Sequence, residues 1–309
     1  MATPNRTTRR TFLAQTLALG TVGLAIPRVL PQAASQAFAE SGSDGWQIGI
    51  YTRPWGKYDY HAALHGIAEA GFKYFGLMTI KSKDGVVISM KSTVEEAHRV
   101  GEDARNHGLK IISVYAGGFP IDKKSLEPGI KGLKQMIDNT AACGCGDVLL
   151  GGIGGADQEE PYYKIIQECC DYAEEKKVRI TLKPHGPLNA TGPECRQRCE
   201  KVGKKNFAIW YDPGNIAYYS DGKLDPVEDA ATVDGLVRGM SVKDFAQPKR
   251  VDVTPGTGLV NFPGVMARLK KGGFTSGPLV IECLGPGDLP TLVAEARKAR
   301  KFVEQLVRA

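Results

Sequence analysis

The 309-residue chain has no Cys-x-x-Cys pair, no long basic run, no Gly-x-Gly-x-x-Gly after its first strand-like segment, and no uninterrupted apolar stretch of membrane-spanning length. Each absence removes a class. Seven cysteines (Cys143, Cys145, Cys169, Cys170, Cys195, Cys199 and Cys283) are an odd number without metal-ligand spacing, so neither a zinc ribbon nor a disulfide framework is expected. They read as small buried apolar residues, with Cys195 and Cys199 one turn apart on a packed helix face. Basic residues are scattered, which argues against nucleic acid as a partner. The missing glycine fingerprint argues against a nucleotide cofactor. What remains is a composition of 42% hydrophobic and 24% charged residues, that of an ordinary folded domain.

The first 39 residues differ from the rest. They contain Arg9-Arg10, then Phe12 and Leu13, a mildly apolar run, and Ala37-Phe38-Ala39 as a small-residue cleavage site. Gln15, Pro27 and Arg28 interrupt the apolar run short of the roughly 20 residues a spanning helix needs, so no stable membrane anchor is expected. The pattern resembles the twin-arginine signals that bacteria use to export folded proteins. It implies a signal peptide over 1–39, passage through the twin-arginine machinery, a periplasmic location, and a single domain over 40–309. The formal net charge of +6 includes four arginines and no acids in residues 1–39, leaving +2 for the remainder.

After residue 45, short β-rich runs alternate with longer amphipathic ones, the pattern of a parallel sheet with crossover helices. Eight strands are predicted, at 46–51, 74–80, 110–116, 147–152, 179–184, 207–212, 239–244 and 278–284. Several are nearly continuous in apolar residues, as strands covered on both faces must be. Leu292, Ala296, Ala299, Val303 and Leu306 form one stripe on the last helix. Eight strand–helix units in this length predict an α/β fold, a closed (β/α)₈ TIM barrel, over an open doubly wound sheet. Gly151-Gly152-Ile153-Gly154-Gly155 reads as a tight turn allowing close approach.

In a closed barrel the chemistry sits where the strands end. Those ends carry Arg53 and Trp55, then Lys183 and His185, Asp212 and Asn215, Lys243 and Asp244, and Glu282. Charges beside an apolar core cost free energy unless paired, so four consecutive ionisable ends suggest a site. Structural alternatives stand beside this: Asp212 before Pro-Gly as a turn former, His185 as a satisfied loop histidine, Lys243 and Asp244 as a surface pair. Alternation in Met240-Ser241-Val242-Lys243-Asp244 predicts that only one of Lys243 and Asp244, or Ser241 with Lys243, faces inward. His61, His65, His98 and His107 are expected to face solvent.

The His-Gly after strand five, Asp-Pro-Gly-Asn after strand six, Val-Lys-Asp after strand seven and the run 256–282 resemble the xylose isomerase-like barrel superfamily of sugar isomerases, keto-sugar epimerases and endonucleases. The resemblance implies a divalent ion (Mn, Mg or Zn) held by Glu, Asp, His and Glu from strands five to eight, with the glutamates moving a proton beside a carbonyl. Asp212 and Glu282 match the second and fourth ligands, whereas Lys183 replaces the first and Ser241 the third. A metal would have Asp212, Glu282 and His185 as its ligands. The set Lys183, Asp212, Ser241 and Glu282 sums to −1, the value the family quartet reaches only with its ion, so the lysine is expected to stand in for the metal. The reading assigns catalysis to Glu282 as base with Lys183, Lys243 and Asp212. His185, Asn215, Arg53 and Trp55 bind substrate, the indole lying against the sugar ring. Repulsion between Lys183 and Lys243 is expected to lower one ammonium's pKa, which would suit a proton shuttle or an imine. The function so implied is an exported isomerase or epimerase acting on a carbohydrate or keto-sugar. Its alternatives are a non-catalytic sugar-binding barrel and a keto-sugar lyase using a lysine.

Overall fold

A computed structural model describes residues 45–308; the signal-peptide reading falls on residues outside that range. Eight strands, β1 (Trp46–Tyr51), β2 (Tyr74–Leu77), β3 (Lys110–Tyr115), β4 (Asp147–Leu150), β5 (Arg179–Leu182), β6 (Phe207–Tyr211), β7 (Val237–Val242) and β8 (Gly277–Ile281), lie in sequence order. All neighbouring pairs are parallel, and β1 pairs with β8 to close the barrel. The predicted (β/α)₈ architecture is therefore present. Most strands end one to three residues earlier than predicted, because the chain bends into loops as soon as it passes the barrel rim.

Two apolar layers hold the barrel. The outer one lies between sheet and helices and includes the stripe Leu292, Ala296, Ala299, Val303 and Leu306 of the helix Leu289–Arg308, all buried. The inner one fills the barrel with Tyr51, Met78, Ile112, Leu149, Trp210 and Val280. Such bulky rings fit only where neighbours are small: a Cβ on Gly239 would lie 2.4 Å from the Trp210 ring. Their polar ends are satisfied internally, Tyr51 Oη donating to Ser113 Oγ at 2.9 Å and Trp210 Nε1 to Ser241 Oγ at 3.2 Å. All seven cysteines are buried and unpaired, with Cys195 and Cys199 on one packed face as expected. His61, His65, His98 and His107 are exposed.

Candidate functional site

The ends of three strands, β1, β5 and β7, converge on Glu282, one residue past β8. Its side chain is fully buried, and each oxygen faces two donors. Oε2 accepts from Lys183 Nζ at 2.7 Å and Ser241 Oγ at 2.8 Å. Oε1 lies 2.7 Å from Lys243 Nζ and accepts from Arg53 Nη1 at 2.8 Å. Ser241 is itself steadied by Trp210 from inside the barrel.

Asp212 does two jobs at once. Oδ1 caps the helix Pro213–Tyr219 by accepting the Asn215 N–H at 2.9 Å, so the turn-former reading holds. Oδ2 lies 3.1 Å from Lys183 Nζ and 3.3 Å from Lys243 Nζ, so the same carboxylate also belongs to the site. The Asp-Pro-Gly-Asn motif has a reason for each residue. Pro213 starts the helix. Gly214 lets Lys243 pass, since a Cβ there would lie 2.7 Å from its Cγ. Asn215 accepts from Lys243 Nζ at 2.9 Å and donates to the Pro184 carbonyl at 2.6 Å.

Lys243 shares the inward side with Ser241, one of the arrangements that alternation allowed, and Asp244 is no surface residue. Its buried carboxylate accepts backbone N–H groups of Phe245, Gly256, Gly258 and Val260 at 2.8–3.1 Å. It thereby folds the loop after β7 back over the strand end.

The electrostatics differ from the sequence reading in two respects. With Lys243 inside, the quartet Lys183, Lys243, Asp212 and Glu282 is neutral, and Arg53 brings the mouth to +1 rather than −1. Nor is the Lys243 ammonium the lowered one. Burial alone would lower that of Lys243, but Asp212 and Glu282 outweigh it and hold the ammonium above its ordinary value. Conversely, burial would raise Glu282, and Lys183, Lys243 and Arg53 together hold it well below the usual carboxylate range.

His185 stands at the same mouth. Burial first, then the two ammoniums, lower its pKa to about 4, so the imidazole is neutral near pH 7. Its ring packs edge-on against Tyr219, centroids 5.5 Å apart, and both it and Tyr115 border Gly151. The glycine run 151–155 is the close-approach turn that was expected: a Cβ on Gly152 would lie 2.2 Å from the His185 carbonyl oxygen.

Trp55 is not at the mouth. It is fully buried, its indole against Gly66 of the helix Tyr60–Glu69, and offers no face to a sugar ring. Tyr115 and Tyr219, which were missed, are the half-buried aromatics beside the charges. Tyr115 ends β3 as Glu282 follows β8, and its signal in the sequence is an aromatic ring, not a charge, at a strand end.

The donor set does not fit a divalent ion. Two carboxylates remain of the implied four ligands, every Glu282 oxygen already faces two donors, and ammonium nitrogens stand where a cation would sit. Among the described residues there is no group of three or more His, Cys, Asp or Glu side chains able to hold a metal. Beside the cluster lies a cavity of about 230 Å³ bordered by Arg53, Lys57, Tyr58, Asp252, Glu282 and Leu284. A larger concavity, about 970 Å³ against the helix Val94–Asn106, is lined mainly by exposed side chains of both signs and holds none of these groups.

The chain is similar in fold to several solved sugar epimerases. A D-psicose 3-epimerase structure with D-fructose superposes with a TM-score of 0.68 at 14% identity, covering 85% of this chain and 100% of that one. An L-ribulose 3-epimerase gives 0.66 at 16% identity, covering 85% and 95%. A 3-keto-D-glucoside 4-epimerase from E. coli gives 0.63 at 13%, covering 84% and 99%. At such identities the likeness speaks for the fold alone. No curated protein sequence matches the chain. The family model described as xylose isomerase-like TIM barrel matches residues 64–306, and the chain belongs to that family.

Proposed function

We propose that this barrel is a carbohydrate isomerase or epimerase that moves a proton at the carbon beside a sugar carbonyl, with buried ammonium groups supplying the positive charge. One observation carries the reading: Lys183 Nζ and Lys243 Nζ both lie within 3.3 Å of Asp212 and Glu282 at the barrel mouth. A substrate carbonyl oxygen entering beside Arg53 and Lys183 takes over N–H groups that now serve Glu282. As it loses those donors, Glu282 becomes more basic and removes the adjacent C–H proton. The C–H electron pair becomes the C=C bond and the carbonyl π pair becomes an oxyanion held by the cations. Each such donor is worth about 3 kcal/mol, or 10²–10³ in rate. Reprotonation of that carbon on its opposite face by a lysine ammonium, which the Glu282 proton then restores, gives the epimer; return of the Glu282 proton to the former carbonyl carbon, with the neighbouring hydroxyl proton passing to the oxyanion, gives the isomer. His185, Asn215 and Asp212 orient the sugar hydroxyls and the ammoniums.

A ketose panel of D-fructose, D-psicose and L-ribulose in D₂O tests this by NMR. Deuterium should enter at one carbon beside the carbonyl and should not do so with Glu282→Gln. Binding without exchange in any of the three would support the non-catalytic alternative, which the full engagement of Glu282 favours. The lyase alternative needs a neutral amine, and the charge-held Lys243 ammonium disfavours it; borohydride with a keto-sugar should trap no adduct.

We further propose export by the twin-arginine route to the periplasm. Cells retain sugar phosphates, so free or oxidised keto-sugars suit that location better.

A further inference from the structure

The charge at the mouth is unevenly accessible. Asp212 and Glu282 have no exposed surface, and the lysine side chains are 3% exposed, whereas the Arg53 side chain is 41% exposed. An incoming molecule therefore meets a cation first, with the acids behind it. Hydrogen-bonding capacity is biased the same way. Arg53 spends one of its five N–H groups on Glu282, and among the described residues the other four have no protein acceptor. The Glu282 oxygens face two donors each; Asp212 Oδ1 accepts the Asn215 N–H, and the buried Oδ2 is ion-paired with the two ammoniums at 3.1 and 3.3 Å without a hydrogen bond to either. At the rim of the cavity, exposed Lys57 and Asp252 balance one another, so the net +1 of the mouth is not cancelled there.

A neutral sugar leaves the net +1 of the mouth and the remaining Arg53 N–H groups without an anionic partner. A ligand carrying one carboxylate matches both the sign of the charge and the planar fork of a guanidinium. From the accessible Arg53 fork in front of buried, already paired acids, we infer that the ligand of this site is a sugar acid, a keto-sugar bearing one carboxylate that Arg53 holds. This deepens the reading of the barrel mouth as a keto-sugar site and rests on it.

The matched pair D-fructuronate and D-fructose, which differ in a carboxylate or a hydroxymethyl group at C6, tests it by titration calorimetry on the full chain. The acid should bind at least about tenfold tighter, as expected for a charge-assisted pair. Arg53→Gln should abolish that preference and Lys57→Ala should keep it, with melting curves showing both variants folded. Equal or weaker binding of the acid, binding of neither sugar, or a preference that survives Arg53→Gln in a folded protein would overturn the inference. Deuterium exchange on the same samples separates the two claims. Exchange into fructose without acid preference leaves proton transfer standing and sinks the carboxylate; acid-selective binding without exchange does the reverse.

Discussion

Glu282 sits where an apolar strand should carry an apolar residue, and three cations and a serine hydroxyl compensate for it. Removing one partner from such a cluster is costlier than removing a balanced pair, because it leaves a buried charge uncompensated. Glu282→Gln should therefore lower the unfolding free energy by about 3–5 kcal/mol. Adding Lys183→Met leaves Lys243 balanced by Asp212, and urea unfolding should show the double variant more stable than the sum of the two single losses predicts. Strict additivity would mean that the groups are not coupled. His185 gives a pH signature. Its folded pKa of about 4 lies below the ordinary 6.5, so the unfolded chain takes up a proton first as pH falls. Its contribution to stability is complete above 6.5 and is lost as pH drops towards 4. Thermal melts at intervals across that window should show the wild type losing stability relative to His185→Gln. At this scale the identity of the charged residues was legible in the sequence, since an acid between Ile281 and Cys283 has few structural excuses. The direction of the Lys243 shift was not, because it depends on two carboxylates lying within 3.3 Å, a distance that strand order alone does not give.

Among the elements, the turn Arg53–Trp55 explains why two residues read as a pair part company. It is a 3₁₀ turn with three residues per turn, so positions two apart point to different sides, whereas a strand would align them. Arg53 enters the mouth and Trp55 the core. The loop after β7 is the second lesson. Asp244 collects four backbone N–H groups from residues 245–260, which gives the Val-Lys-Asp motif a reason unconnected with proton transfer. Asp244→Ala leaves those donors without their acceptor and should destabilise the protein by about 2–4 kcal/mol. Hydrogen exchange should speed up at Gly256, Gly258 and Val260, with β1 to β5 unchanged; unchanged protection in the loop would refute the clamp. Strand periodicity allowed Ser241 and Lys243 to share the inward side, but nothing local announced that Asp244 turns back into the protein.

For the whole molecule, eight strand–helix units and their spacing were enough to foresee closure, since the first and last strands of such a set find each other once the sheet curls. The residues lining the mouth follow from that closure, as each strand end is carried to the same rim. The export proposal concerns residues 1–39, outside the described part. Protein recovered from the periplasm of a bacterium with the twin-arginine machinery should begin at Glu40, as N-terminal sequencing reads it. Arg9→Lys with Arg10→Lys should hold the protein in the cytoplasm, and cytoplasmic accumulation of the unaltered chain would contradict the proposal. The central claim is that protonated lysines meet the substrate oxygen in a site whose donors do not suit a divalent ion. Its most direct measurement is the rate of solvent deuterium exchange beside the carbonyl of a bound ketose, taken before and after exhaustive chelation. An unchanged rate is predicted; a rate that vanishes on chelation and returns with added Mn²⁺ would contradict the account.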